Sequence, residues 1–489
     1  MGQHVDANLN ESRSYSTLEE VMGILTGAAG KTFRELDKTG RAEALANKGA
    51  LGNIIEESVL GYPVNSDAEA DIQIGNSRYE LKVTPLKHVR KGKETSAKER
   101  LVIDIINYMK LVQEKDFESS QMWGKAKNII LVYYYDDRTD TKRELRVDCT
   151  VLLAYLMQYS PEDVATIRQD WKLIRDKVAS GHADELSESD TNYLAACTKG
   201  ANASTLRDAP APLDSPKGLI RAKQRAFSFK TSYMTAIARR LLHSDSGESL
   251  RLAPEQALED YLRNKFSRYF GKTTGAIARD LGLMSITPKQ FNSQLALGMI
   301  GSKQKAIGKV EQFAKANVTG VKTIVMYEGV DRPQEHMSFR QISEEEWAEL
   351  GDASVEWHDS FLYQFFEENR FLFMVFRASG MRRSQSSKTA DIFTDAFLWN
   401  MPEADIEKYV RPVWEWLHEA MVAKKPLHYG RGTNELPGPS FNNVFHIRPK
   451  GKDGNDTVLL PNGERITKQA FWLDRRYVAK IVSSRYGWH

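Results

Sequence analysis

The chain has 489 residues, 41% of them hydrophobic, enough for two or three domains with cores of their own. Its 68 basic and 65 acidic side chains leave a formal charge of +3, so any nucleic-acid surface must come from local placement of charge. Only two cysteines, Cys149 and Cys197, argue against a disulfide scaffold or thiolate zinc site, and with no stretch long enough to cross a bilayer the expectation is a cytoplasmic protein without a membrane partner.

Residues 16–60 read mainly as helix: "SYSTLEEVMGILTG" offers a Ser/Thr cap followed by glutamates, and "GNIIEESVLG" is a short amphipathic segment. Between them, "GILTGAAGKTF" fails as a phosphate-binding loop because Gly23 lies too far before Lys31 and Gly27 too near, so no ATP dependence is expected. "SRYELKVTP" and "KNIILVYYYDD" read as strands, separated by "SAKERLVIDIINYMKLVQ", whose apolar spacing is helical. "HVRKGKETSAKER" suits a basic loop closing on backbone phosphates, and "RDAPAPLDSPKGLI" a long loop. Alternating helix and strand make the fold α/β or α+β.

A polar break near residues 243–253 reads as a linker between domains at 1–245 and 254–489. Beyond it the signals repeat in order. "KGALGNIIEESVLG" is echoed by "KTTGAIARDLGLM", "YELKVTPL" by "TGVKTIVM", "KNIILVYYY" by "NRFLFMVFR", and "KQRAFSFKTSYMTAI" by "KQAFWLDRRYVAKI". Four matches in one order predict two copies of one fold.

Glu80 and Lys82 lie two apart on the predicted strand and therefore face the same way. With Asp71 nearby they are either a surface ion pair or the centre of a metal-dependent hydrolase. In the second case Asp71 and Glu80 hold Mg²⁺, a hard cation that prefers oxygen ligands, and Lys82 orients the attacking water or stabilises developing charge. Glu56 could add a carboxylate from the preceding helix, whereas Glu57 is expected to face solvent. In the second copy Arg279 stands for Glu56, Gly320 for Glu80, Lys322 for Lys82 and Glu367 for Lys125, which would leave no Mg²⁺ site there. His88, His182 and His446 form no zinc-ligand spacing.

The stretches "KGALGNIIEE", "D…ELKVTP", "SAKERLVIDIINY", "WGKAKNIILVYY" and "KQRAFSFKTSYMTAI" together resemble the family containing the mismatch-repair endonuclease MutH and the restriction endonuclease Sau3AI. The chain's length and its altered second half resemble the Sau3AI branch. The resemblance implies two tandem PD-(D/E)xK domains, each a mixed sheet flanked by helices, and Mg²⁺-dependent hydrolysis of both strands of duplex DNA at GATC, leaving 5′-phosphates. It implies catalytic roles for Glu56, Asp71, Glu80, Lys82 and Lys125, with Asp71 and Glu80 on the metal; Lys127 competes for the Lys125 role and Asp67 or Glu69 for that of Asp71. Lys199 in "CTKGANAST" resembles the family's base-reading residue, while Ser228 replaces an aromatic DNA contact. Arg225 and Lys230 are candidate phosphate ligands, and Arg448 and Lys450 in "HIRPKGKDGND" resemble the base-reading loop in the second half. That half is expected to bind DNA without cutting and to act allosterically, through a homodimer on DNA or a two-site DNA loop. GATC-specific nicking and non-catalytic DNA binding are the alternatives.

Overall fold

The structure, a computed structural model, describes residues 15–43, 49–62, 72–89, 94–137, 143–199, 205–216, 218–243, 248–253, 256–283, 291–327, 329, 332–378, 380, 389–427 and 435–486. The described residues fall into two compact units, one within Met1–Ala183 and Tyr193–Ser246, the other within Asp184–Asn192 and Gly247–His489. The excursion Asp184–Asn192 belongs to the second unit, where Asn192 accepts a hydrogen bond from the buried Arg370 guanidinium. Among the described residues no helix is long and apolar enough to cross a membrane.

The first unit is built on a mixed sheet. Strands β1 (Ile72–Ile74), β2 (Ser77–Val89), β5 (Ile129–Tyr135) and β6 (Val151–Leu156) run in that order, and β3 (Glu94–Ala97) pairs with the far end of β2. β2 and β5 are parallel, while the other pairings are antiparallel. A parallel pair needs cover on both faces, and six of the seven residues of β5 are buried. Leu81, Ile130, Val132 and Tyr134 meet Val21, Phe33, Ile54 and Ile55 of the N-terminal helical segments in one core.

A second, antiparallel sheet has the order β4 (Leu101–Ile105), β10 (Arg225–Phe229), β7 (Leu194–Thr198), and β8 (Leu206–Pro210) pairs with β9 (Leu219–Lys223). Three expectations are corrected here. "LVIDI" is a strand, because Leu101 and Ile103 alternate into the core while Val102 and Asp104 do not, and the helix waits until Tyr108–Leu111. In the basic stretch after β2 the described residues are strand, pairing from Leu86 with Ala97 to Val89 with Glu94, while residues 90–93 lie outside the described residues. The proline-containing loop is the β8–β9 hairpin.

The second unit also combines a mixed sheet with an antiparallel one. β11 (Val318–Met326) runs parallel to β13 (Arg370–Arg377), which is antiparallel to β14 (Ile392–Trp399). β12 (Met337–Gln341), β18 (Gln469–Leu473) and β15 (Phe445–Pro449) form an antiparallel sheet in that order, and β16 (Thr457–Leu459) pairs with β17 (Arg465–Thr467). Trp347, Phe366, Phe373 and Leu417 lie in its core.

Strand registers let the two units be set side by side, because a slip of one would turn every side chain to the other face. Glu80 pairs with Ile129 and Lys82 with Leu131; Gly320 pairs with Phe371 and Lys322 with Phe373. In the other sheet Ala226 opposite Cys197 matches Ala470 opposite Arg448, and Phe227 opposite Ala196 matches Phe471 opposite Ile447. Just beyond these strands the amide of Lys199 donates to Gln224 O at 2.8 Å and that of Lys450 to Lys468 O at 2.7 Å.

One echo is corrected by the same reasoning. Gly30 N donates to Val151 O at 2.9 Å, Val151 N to Lys31 O at 2.9 Å, and Thr32 caps the helix Phe33–Leu36. Gly271 N donates to Phe393 O at 2.8 Å, Phe393 N to Lys272 O at 2.9 Å, and Thr273 caps the helix Thr274–Asp280. The two "GKT" stretches are therefore equivalent turns against β6 and β14, and Arg279 belongs with the helix after that turn, not with Glu56. A helical segment ending at a left-handed glycine occurs in both units, Ile54–Leu60 before Gly61 and Phe291–Met299 before Ile300–Gly301, with φ 71° and 81°.

Candidate active site

β2 carries the site because its alternation turns Leu81 into the core and Glu80 and Lys82 to the opposite face. Glu80 is 4% exposed. A carboxylate so enclosed costs several kcal/mol of lost hydration unless a charge meets it, and Lys82 Nζ lies 2.6 Å from its Oε1. This is no exposed strand-edge pair: the carboxylate is inside and the ammonium half-buried.

Glu56 comes from the helical segment before β2, where Ala50–Asn53 widens into a π-turn over Ile54–Leu60. Ile54, Ile55 and Leu60 anchor the turn in the core. Arg41 holds the neighbouring Glu57 by two hydrogen bonds of 2.7 and 2.8 Å, so Glu57 is a structural partner and not the solvent-facing residue expected. A cleft of ≈ 290 Å³ is lined by Gly52, Glu56, Lys82, Glu99 and Arg146, among others, which places Glu56 and Lys82 on one cavity.

Lys125 lies on the helix Gln121–Ala126, directly before β5. Its Nζ is 3.0 Å from Asp104 Oδ1, while Gln121 Nε2 donates to Asp104 Oδ2 at 2.7 Å. Lys127, the competing residue, is exposed at the helix end. Nothing about Asp104 alone marks it in the sequence; the alternation of "LVIDI" is the signal that places it on a strand facing away from the core.

Asp71, Asp67 and Glu69 lie outside the described residues. Among the described residues no group of three or more His, Cys, Asp or Glu forms a metal cluster. The donors that are described, Glu80 and Glu56, are carboxylates of the kind Mg²⁺ prefers.

The candidate DNA contacts divide. Lys199 is exposed at the end of β7, and Arg448 is exposed with its guanidinium 5.6 Å from the centre of the Trp472 ring. Lys450 is half-buried and donates to Ser338 Oγ at 3.0 Å and to the Phe339 carbonyl. The expectation for Arg225 and Lys230 is corrected: they are 0% and 5% exposed. Arg225 sits on β10, the central strand of its sheet, and donates to Ala196 O at 2.7 Å. Neither side chain reaches a surface where a phosphate could meet it. Ser228 is also enclosed.

The family model described as the DNA mismatch repair enzyme MutH matches residues 60–170, the segment holding β2 and β5. The chain is 31% identical to the type II restriction enzyme Sau3AI of Staphylococcus aureus, over 96% of this chain and 99% of the relative. It is 25% identical to the DNA mismatch repair protein MutH of Shewanella woodyi, over 46% of this chain and 93% of the relative. Since the Sau3AI likeness spans both halves and the MutH likeness falls where the buried Glu80 and Lys82 stand, this chain belongs to the MutH-related family of Sau3AI-type restriction enzymes.

Proposed function

We propose that this restriction enzyme hydrolyses both strands of duplex DNA at GATC with Mg²⁺, leaving 5′-phosphates, and that the first unit alone cuts. The observation that carries the reading is the contrast at one register position: Glu80 beside Lys82 opposite β5, Gly320 beside Lys322 opposite β13. The first unit keeps a buried carboxylate against an ammonium; the second keeps only the ammonium. Two tandem copies of the PD-(D/E)xK fold, one without its carboxylates, account for the shared registers and the altered chemistry together.

Glu80 and Asp71 would hold the metal, with Glu56 facing the same cleft. When bound, Mg²⁺ supplies charge neutralisation at the scissile phosphate and a more acidic water. Lys82, held by Glu80, stands where it can donate to the phosphate oxygen that gains charge or orient the attacking water. Lys125, steadied by Asp104, supplies a second cation from the helix leading into β5. Lys199, Arg448 and Lys450 are the DNA contacts, and the second unit binds GATC without cutting and promotes cleavage, through a homodimer or a loop between two sites.

The test is supercoiled plasmid carrying one or two GATC sites, with Mg²⁺, with and without adenine methylation. Wild-type protein yields linear fragments and Glu80→Gln yields none. Cleavage by Glu80→Gln at the wild-type rate would overturn the site. Open circles that persist would assign the chain to nicking, and binding without any product to the non-catalytic alternative.

A further inference from the structure

Lys322 and Lys450 converge on one stretch of β12. Lys322 Nζ donates to Ser338 O at 2.6 Å; Lys450 Nζ donates to Ser338 Oγ and, one residue on, to the Phe339 carbonyl. Lys322 Nζ also lies 4.7 Å from the centre of the Phe339 ring and 5.6 Å from that of Phe371. Carbonyl dipoles and ring faces carry partial negative charge only, and the partners that both ammonium groups have among the described residues are carbonyl and hydroxyl oxygens and ring faces. The acidic neighbour on this edge, Glu346, is engaged by Arg340. Burial and the charge of Lys450 bring Lys322 down to about 8, and burial lowers Lys450 as well. Two cations are thus drawn together without full compensation, at a cost that an anion between them would remove.

The register explains how this arose. Lys322 corresponds to Lys82, whose charge is met by Glu80; with Gly320 in the place of Glu80, that partner is gone. Lys450 corresponds to Lys199 and lies two residues after the exposed Arg448, on the loop read above as a DNA contact. We infer that Lys322 and Lys450 form an anion subsite in the second unit that grips a single backbone phosphate of duplex DNA. Where the first unit engages phosphate through a carboxylate-held cation, the second engages it through ammonium groups directly. This inference rests on the reading that the second unit binds DNA.

The experiment uses the full chain with Glu80→Gln, so that DNA is bound and not cut, and measures affinity for a GATC duplex against NaCl concentration. Lys322→Met keeps the side-chain stem against Phe339 and Phe371 while removing the charge. Because both lysines hold one phosphate, the double variant Lys322→Met, Lys450→Met is expected to flatten the log–log salt slope by about 0.9, the value for a single neutralised phosphate. In parallel, amine acylation of the parent is mapped by mass spectrometry. Duplex DNA is expected to protect Lys322 at least fivefold; protection by millimolar inorganic phosphate as strong as by DNA would assign the subsite to a free anion and overturn the DNA assignment. Unchanged affinity and slope with no protection of Lys322 would overturn the subsite. If Arg448→Ala weakens binding in that case, the DNA-binding reading of the second unit stands; if it too has no effect, that reading fails. Should the double variant not fold, the acylation experiment decides alone.

Discussion

Restoring the missing carboxylate tests the correspondence between the two units directly. In Gly320→Glu the new Cβ has only Phe371 Cδ1 nearby, at 3.9 Å, an ordinary contact, so the strand accepts it. Residues 320 and 322 then share a face, as do Glu80 and Lys82 with their 2.6 Å pair. At about 3 Å and an effective dielectric near 20 the gross attraction is about 5 kcal/mol, and desolvating the carboxylate removes several kcal/mol of it. A net rise of roughly one to two pKa units remains for Lys322, about 1.4–3 kcal/mol. Lys322 starts at about 8, so the variant is expected to titrate at about 9–10. Lysine side-chain NMR over pH 7–11, with Lys322 assigned by its Met variant, reads the shift. Stability gives a second reading. Between the folded value near 8 and an unfolded value of 10.5 the unfolded chain holds more protons, so the wild-type second unit gains stability as pH rises, by up to about 3 kcal/mol. The variant gains roughly half of that or less. An unmoved Lys322 would show that 320 and 322 do not share a face, and the equivalence of β2 and β11 would fall with it.

Asp104→Asn keeps the shape but not the charge that steadies Lys125, and single-turnover cleavage is expected to fall on the order of tenfold, about 1.4 kcal/mol; an unchanged rate alongside an inactive Lys125→Ala would remove Asp104 from the mechanism. His446 is 0% exposed, and burial, His336 and Arg448 hold it down at about 4, against a counteracting pull from Asp474. Its proton is taken up by the unfolded chain first as pH falls from 6.5 towards 4, so the second unit loses roughly 3 kcal/mol over that window; melting of His446→Phe should show a loss smaller by about that amount, and identical pH profiles would refute the assignment. Gly181→Ala places a Cβ 2.1 Å from Pro212 N at a φ of +87°, and about 3 kcal/mol or more of first-unit stability should go; a melting midpoint within a degree or two of wild type would contradict it.

The strand β2 was legible because period-two alternation and an acid–x–lysine pair coincide in "YELKV". "LVIDI" was not, since its apolar residues continue into the helical "INYMKL" and a short run fits both periods. Charge reads as surface and so puts Arg225 and Lys230 outside, whereas the burial of Arg225 on a central strand and of Lys230 just after it depends on strands far away in the chain. Likeness of letters pairs Arg279 with Glu56, whereas backbone hydrogen bonds set Gly30–Thr32 beside Gly271–Thr273 and put Arg279 on the helix after that turn. Asp104 was invisible for a further reason, its partner Lys125 being brought to it only by packing.

The stretch Asp184–Asn192 has a practical consequence for anyone dividing the protein. A gene split at residues 243–253 would yield a second fragment missing nine of its own residues and a first fragment carrying a foreign piece. Arg370, 3% exposed, would keep Glu259 at 2.9 Å but lose the amide of Asn192. The halves are interleaved along the polypeptide, so an autonomous C-terminal fragment must be made by grafting that peptide back, not by simple truncation.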